Sequence, residues 1–291
     1  MNDNNWGRWG DRDERGAVNF LKPERICEAA ALVRQGQTVS LGMPIGAETP
    51  APACRVRPSR LMERDGGDYA AGARRPGGFQ FAEDVLILST HTGTHMDALA
   101  HVWYDDQLYN GFSGNSIDSR SGARHCGIDK VGPVVGRGVL LDIARHLQMN
   151  CLPGGHAIGP EVLEACARGA SIALREGDVV LFRTAWMPGV GQLSDYYGTE
   201  PGLNLEAAHW LASHGVALVG SDNYAIEVLP SGGATVFPVH QALLRDYGIP
   251  LLEGLNLDEL SQHQIAEFLF VACPLPILGG TASPVNPVAI F

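Results

Sequence analysis

Long apolar runs, paired cysteines and positive charge are all scarce in this 291-residue sequence, and each absence excludes a class of protein. No stretch approaches the ~18 consecutive apolar residues of a transmembrane helix, so we expect no membrane span. The polar N-terminus predicts no signal peptide. None of the six cysteines lies in a Cys-x-x-Cys pair, which argues against a zinc finger or a disulfide scaffold. Together these features predict reduced thiols in a cytoplasmic protein.

Negative charge outweighs positive charge in this chain. Lys and Arg total 21, Asp and Glu total 32, and the formal net charge is −11. An acidic surface repels phosphate, so we expect neither nucleic acid nor membrane as a partner and predict a small-molecule substrate. The hydrophobic fraction of 45% is typical of a folded globular domain. Two excesses stand out: 36 glycines, which predict many tight turns, and 10 histidines, whose meaning depends on spacing.

The chain shows neither a repeat nor a low-complexity linker, so we predict one domain over residues 1–291. It would carry an N-terminal arm over 1–22 and an irregular loop over 44–78, rich in Gly, Pro, Arg and Ala. Trp6 and Trp9 are unusual in so polar an arm. We expect them to pack on a neighbouring subunit, and we predict a homodimer or homotetramer.

Hydrophobic periodicity predicts that helices and strands alternate through the second half of the chain. This order is typical of an α/β layered core. The predicted strands are 84–89, which we expect to be buried, 138–143, 178–183, 216–220, 249–253 and 268–273. The predicted helices are 23–35, 160–168, 205–214, 238–247 and 257–262.

Residues 89–101 read STHTGTHMDALAH and concentrate potential metal ligands in a short segment. If the chain stays extended after the strand 84–89, His91, His95 and Asp97 all point to one face, with Gly93 leaving room for an ion. A helix would bring only two of the three together. Two imidazoles and a carboxylate suit Zn²⁺, Mn²⁺ or Fe²⁺ rather than Ca²⁺ or Mg²⁺. We expect a helix to begin at Ala98, which would place His101 beside the metal as a general acid or base.

Other polar residues have weaker cases. His240 begins a predicted helix and Glu253 ends the strand that follows, so the two could meet as a second ligand pair; spacing alone leaves this open. Trp103 could line an aromatic substrate pocket, or pack in the core or at a dimer contact. Asp222 could contact substrate or simply make a turn. The remaining histidines are interpreted as surface or capping residues: His125, His146, His156, His209, His214 and His263.

The segment from His91 to His101 resembles the signature of the metal-dependent cyclase-like hydrolase family, which includes kynurenine formamidases and isatin hydrolases. The family pattern is H-x-G-T-H-x-D-x-P-x-H. This sequence matches it at His91, Gly93, Thr94, His95, Asp97 and His101. It departs at Leu99, where the family often has Pro, which affects backbone stiffness and removes no ligand. The resemblance extends over nearly the whole chain except residues 52–78.

The resemblance implies a layered β/β/α, swivelling-type single domain with a mixed sheet. It also implies that His240 and Glu253 complete the metal site, which would hold one or two Zn²⁺ or Mn²⁺ ions with Asp97 as a bridge. The implied reaction is hydrolysis of an amide, lactam, imide or lactone by metal-activated water. His101 would transfer the proton to the leaving group.

Two other readings compete with hydrolysis. His95, Asp97 and His240 have the form of the facial triad of non-haem Fe(II) oxygenases. That reading gives His91, His101 and Glu253 no role. A non-catalytic metal-binding protein would keep the ligands but would not need His101 beside an open coordination position.

Overall fold

The structure, a computed structural model, describes residues 4–186 and 197–291. Its strands are β1 (Thr38–Ser40), β2 (Ser59–Arg64), β3 (Glu83–Ile87), β4 (His95–Asp97), β5 (Ile117–Asp118), β6 (Gly122–Ala123), β7 (Val134–Asp142), β8 (Ala157–Ile158), β9 (Val179–Arg183), β10 (Gly202–Leu203), β11 (Leu218–Ser221), β12 (Leu251–Glu253), β13 (Glu267–Ala272), β14 (Ala282–Pro284) and β15 (Val288–Ile290). Its α-helices are α1 (Pro23–Ala30), α2 (Gly66–Ala70), α3 (Ile143–His146), α4 (Pro160–Gly169), α5 (Leu205–Ser213), α6 (Pro238–His240) and α7 (Asp258–Gln262). Helix α6 continues as a π-helical segment, Gln241–Asp246.

One mixed sheet organises the described residues, with the strand order β1-β15-β13-β7-β9-β11-β12-β4-β14. Its centre, β7-β9-β11-β12, is parallel. The connections between these strands carry α4, α5 and α6 in turn, as parallel neighbours require. The alternation predicted for the second half of the chain is therefore present. The finer expectation of a swivelling β/β/α arrangement stays a prediction.

Both faces of the central strands are buried, which explains why their sequences are continuously apolar rather than alternating. Val139, Val180 and Val219 lie in the cluster that includes residues of α4, α5 and the π-helical segment. Their neighbours along the strands, Leu140, Leu181 and Leu218, lie in a second cluster on the opposite face. Met96 near one end of the sheet order and Val39 at the other belong to this second cluster, so the sheet curls around it.

The strand predicted at 84–89 is present, but the prediction that it is buried is wrong. It forms β3, which pairs only with β2 in a two-stranded antiparallel hairpin. On one face of this hairpin Leu61, Val85 and Ile87 are 57%, 38% and 50% exposed. An apolar run alone does not distinguish a core strand from a projecting one. The loop 44–78 is likewise less irregular than expected, because it contains β2 and α2.

The N-terminal arm packs on its own chain, and the expectation that its tryptophans also pack on a neighbouring subunit stays a prediction. The Trp6 indole N–H donates to the Arg245 carbonyl at 2.9 Å, and the Arg245 guanidinium lies over the Trp6 ring. Trp9 meets Phe20 edge-on at 4.9 Å between ring centroids. Across residues 4–186 and 197–291, no helix is both long and apolar enough to cross a membrane.

Candidate metal centre

The site is built on β4, a three-residue strand held between β12 and β14. His95 and Asp97 are two residues apart in this strand and therefore share a face. The register places Glu253 of β12 directly opposite His95. As a result, the His95 Nε2 atom lies 3.2 Å from Glu253 Oε2 and 3.5 Å from Asp97 Oδ1. Strand pairing alone thus gathers one imidazole and two carboxylates.

His240 enters the site from α6, the helix between β11 and β12. Its Nε2 atom lies 3.1 Å from Glu253 Oε1 and 3.9 Å from Asp97 Oδ2. Its other ring nitrogen, Nδ1, lies 2.6 Å from Glu227 Oε1, which also accepts the His240 backbone N–H at 3.0 Å. Metal-binding histidines are commonly oriented in this way, by a carboxylate on the nitrogen that faces away from the ion.

His91 and His101 lie on the other side of Asp97. His91 Nδ1 is 2.8 Å from Asp97 Oδ1, and His91 Nε2 is 3.0 Å from the Thr281 hydroxyl. His101 Nε2 is 4.0 Å from Asp97 Oδ2, and the His91 and His101 ring centroids are 4.0 Å apart. The five predicted ligands and His101 therefore meet around one carboxylate.

The backbone reaches this arrangement by a route that the sequence did not predict. The segment before His95 is a turn rather than an extended strand, and Gly93 lies in the left-handed region at φ +68°. The expected helix at Ala98 is also absent. The amides of Ala98 and Ala100 donate to the Thr281 and Cys126 carbonyls, so they are committed to neighbouring loops rather than to a helix. Two tight turns replace the predicted strand and helix.

The residues present fit a divalent cation. His95 Nε2 and Asp97 Oδ2 are buried, and neither has a hydrogen-bond partner among the described residues. Unpaired buried polar atoms are costly, and an ion between them would remove that cost. Two ligand groups have donor atoms within 4.8 Å of one another: His91, Asp97 and His101; and His95, Asp97 and Glu253. Asp97 belongs to both groups, as a bridging ligand would. The sequence grouped His95 with His91, whereas the structure groups His95 with Glu253.

The charges of the metal-free site balance one another. Burial raises the pKa of Asp97, but the imidazoles of His101 and His91 outweigh it and hold that pKa well below its usual range. Burial and Asp97 raise the pKa of Glu253, yet the hydrogen bond from His240 and the positive charge of His95 leave it lowered. Burial lowers the pKa of His240, but Glu227 and Glu253 raise it to about 10. Without an ion, protonated imidazole supplies the positive charge that the carboxylates need.

The two weaker predictions concern residues outside this cluster. Asp222 is buried and accepts the Thr184 and Ala185 backbone N–H groups at 2.9 and 2.7 Å, one on each carboxylate oxygen. These bonds tie the end of β11 to the end of β9. Trp103 is 40% exposed and packs against Gly114. A substrate contact for either residue stays a prediction.

Comparison with known proteins identifies the family. The family model described as "Putative cyclase" matches residues 39–228. The chain belongs to this cyclase family. The matched region contains β4 and both neighbouring turns, and therefore His91, His95, Asp97 and His101, whereas His240 and Glu253 follow it in the sequence.

Individual members of the cyclase family and related structures are similar to most of the chain. Kynurenine formamidase from Salinibacter ruber is 33% identical over 203 residues, covering 70% of this chain and 77% of that protein. Isatin hydrolase from Roseibium aggregatum is 25% identical over 218 residues, covering 72% and 75%. A crystal structure described as a novel cyclase has a TM-score of 0.92 at 36% identity and covers 99% of both chains. A structure described as a potential metal-dependent hydrolase with cyclase activity shares the fold, with a TM-score of 0.54 at 21% identity over 87% of this chain and 98% of that one.

Three residues that support the site were missed from the sequence. Glu227 is buried in the apolar stretch 225–230. The cost of burying a carboxylate, which singled out Glu253 in the sequence, could have singled out Glu227 as well. Glu200 is buried and accepts the Tyr224 and Ala225 N–H groups, and burial raises its pKa well above the usual value. Thr281 lies 190 residues from His91, so only the pairing of β4 with β14 could reveal it.

Glu227→Gln should weaken metal binding, because the amide cannot hold His240 Nδ1–H as a carboxylate does. Replacing such an orienting partner typically costs about 10- to 100-fold in metal affinity. Zinc titration against a competing chelator measures the change. Glu206→Gln, on an exposed position of α5, is the matched control. Unchanged affinity in a folded Glu227→Gln protein would contradict the orienting role.

Metal binding should release protons at neutral pH. With a pKa of about 10, His240 is protonated throughout the range from pH 6 to 8 in the metal-free protein, and an ion must displace that proton. Burial lowers the pKa of His95, but Glu253 and Asp97 leave it raised, so His95 adds to the release; at least about one proton per subunit should be released, and affinity should rise at least about tenfold per pH unit. Calorimetry in two buffers of different ionisation enthalpy measures the release. A value near zero, with affinity independent of pH, would exclude protonated His240.

Proposed function

We propose that this protein is a metal-dependent hydrolase that opens an amide, lactam, imide or lactone bond in a small substrate. The observation that carries the proposal is the buried cluster around Asp97, in which His95 Nε2 and Asp97 Oδ2 have no hydrogen-bond partner and His101 stands beside them. An amide bond is the favoured choice, because one relative is named a formamidase and matches over two thirds of both chains.

The metal would be held by His91, His95, Asp97, His240 and Glu253, as one Zn²⁺ or Mn²⁺ ion or as two that share Asp97. Such an ion lowers the pKa of a bound water from 15.7 to about 7 and polarises a carbonyl oxygen. The protein's own contribution is to orient the ligands. His95 Nδ1 lies 2.8 Å from the Gly93 carbonyl, and Glu227 holds His240 in the same manner.

His101 is suited to proton transfer. Burial lowers its pKa to about 4, since the attraction of Asp97 only partly offsets it, so the imidazole is neutral at pH 7 and can accept a proton. Its side chain is 26% exposed, whereas those of His95 and His240 are 3% and 5% exposed. We propose that it takes a proton from the attacking water and gives it to the leaving nitrogen or oxygen.

The oxygenase alternative uses His95, Asp97 and His240 and leaves Glu253 without a role. Glu253 nevertheless lies within 3.2 Å of both His95 Nε2 and His240 Nε2, inside the cluster rather than beside it. This favours a site with two carboxylates over a facial triad. The alternative can be tested directly, because it requires iron, a 2-oxoacid and oxygen consumption.

His101→Ala should lose about 10²–10⁴-fold in turnover while keeping its metal. The assay would use Zn²⁺- or Mn²⁺-loaded protein and a panel of N-formylkynurenine, isatin, cyclic imides and lactones, with metal content measured in parallel. His209→Ala, on the exposed side of α5, is the matched histidine control.

Each other result of this assay has a distinct meaning. If His101→Ala loses metal as well as activity, His101 is a ligand, which its grouping with His91 and Asp97 would accommodate. If the loaded wild-type protein hydrolyses nothing in the panel, the hydrolase proposal is wrong and a binding role gains support. Oxygen consumption with iron and a 2-oxoacid would favour the oxygenase.

We also propose that copies of this chain associate through the β2–β3 hairpin. An isolated two-stranded hairpin is marginally stable in water, and this one exposes Leu61, Val85 and Ile87 on one face. The opposite face exposes Leu86 and Met62 as well, but it carries the Arg60–Asp84 ion pair, with 3.6 Å between Nη1 and Oδ2. A second copy would cover the apolar face with the same face of its own hairpin.

The double variant Leu61→Glu/Ile87→Glu should form a smaller species than the wild type, because two buried carboxylates would face two others across the interface. Light scattering with size-exclusion chromatography measures the mass. Met62→Gln, on the opposite face, should leave the mass unchanged. A monomeric wild type, or a double variant of wild-type mass, would refute association through this face.

A further inference from the structure

A cleft beside the metal centre has an arginine in its wall. Its lining includes His91, His95 and Glu253 on the metal side, and Pro52, Arg55 and Tyr224 from outside the metal-ligand set. Arg55 comes from the loop 44–78. The cleft therefore joins the proposed reaction centre to this loop.

Arg55 is fixed in position by local contacts. Its backbone N–H donates to the Pro52 carbonyl at 2.9 Å, which closes a turn. Its guanidinium donates to the His91 carbonyl and lies 5.3 Å from the centroid of the Tyr224 ring. This is one hydrogen bond among residues 4–186 and 197–291, whereas a guanidinium carries five N–H donors in a planar fork. Donors thus remain on the side chain that lines the cleft.

Arg55 brings a positive charge to the lining of the cleft. Glu253 lines the metal side of the cleft, the buried Asp97 lies behind it within 3.5 Å of His95 Nε2, and the chain as a whole has a net charge of −11. A bound metal ion would offset the ligand carboxylates, and Arg55 in the lining would add a positive charge that can receive an anionic substrate group. Burial raises the pKa of the Tyr197 hydroxyl, and the charges of Arg55 and Arg57 lower it while Glu200 opposes them, so both guanidiniums lie near this wall of the cleft.

The same wall is aromatic. Tyr197 and Tyr224 meet edge to face, with 4.7 Å between ring centroids and an interplanar angle of 89°. Such rings pack well against a flat apolar group. An arginine beside two tyrosines combines a surface for an aromatic ring with a fork that binds a carboxylate through two parallel hydrogen bonds.

We propose that Arg55 binds a carboxylate on the substrate, so that this enzyme prefers aromatic amides that carry a carboxylate near the bond to be cleaved. The inference rests on the proposed hydrolase function and adds the substrate class. Arg55 would be a specificity-determining residue, with no part in proton transfer.

The test compares two formamides that differ only in the carboxylate: N-formylanthranilate and formanilide. In Arg55→Gln, KM for N-formylanthranilate should rise about 10- to 100-fold, the cost of losing hydrogen bonds to a charged group. The kcat for this substrate, and both constants for formanilide, should stay within about threefold of wild type. Arg55→Lys keeps the charge but not the planar fork, so its KM for N-formylanthranilate should lie between those of the wild type and Arg55→Gln.

Arg60→Gln is the matched control, since Arg60 lies on the hairpin with its side chain 59% exposed. Thermal unfolding of all variants excludes loss of the fold. If Arg55→Gln impairs both substrates equally, Arg55 acts by positioning the His91 segment and the carboxylate proposal is wrong. If it impairs neither substrate, the proposal is also wrong.

A binding measurement separates this inference from the proposed function. Calorimetry of metal-loaded protein with anthranilate and with aniline requires no turnover. Arg55→Gln should weaken anthranilate binding about 10- to 100-fold and leave aniline binding unchanged. Failure of hydrolysis with retained, Arg55-dependent anthranilate binding would overturn the hydrolase alone. Anthranilate binding that does not depend on Arg55 would overturn this inference alone.

Discussion

The cost of burying Asp97 governs the arrangement of the site. Its side chain has no exposed surface, and an isolated carboxylate in such a place is strongly unfavourable. The protein meets this cost by surrounding Asp97 with His91, His95, His101 and His240. The three-residue strand β4, the turns on either side of it and the start of α6 all deliver these imidazoles. The same crowding leaves buried atoms without hydrogen bonds, which is what suits the site to an ion.

Sequence spacing predicted which residues meet in the site better than it predicted the backbone conformation that brings them together. His95 and Asp97 needed only the two-residue period of a strand. His91 and His101 were assigned to the correct neighbourhood on an extended segment and a helix that are in fact turns. They lie six and four positions from Asp97, and the turns keep both close to it. The pairing of His95 with Glu253 and the support from Thr281 depend on strand register, which a single sequence does not contain.

The same distinction holds for the fold. The parallel strands β7, β9, β11 and β12 were predictable, because a strand buried on both faces is apolar throughout. Strand β3 has a similar composition yet lies in the exposed hairpin, since burial depends on neighbours rather than on composition. In the candidate site, His95, Asp97 and Glu253 lie on strands of the sheet, whereas His91 and His101 lie on turns. The cleft wall with Arg55 also lies outside the sheet, in the loop 44–78.

The position of β14 has a consequence for synthesis of the protein. Strand β4 carries His95 and Asp97. Both strands that pair with it, β12 and β14, lie more than 150 residues further along the chain. During translation, β4 therefore waits without either partner until nearly the whole sheet has been made. The set of candidate ligands around Asp97 is incomplete until Glu253 has been made, and Thr281, whose hydroxyl contacts His91, follows later still. The candidate site is thus completed with the closing of the sheet rather than with the first appearance of the histidine motif.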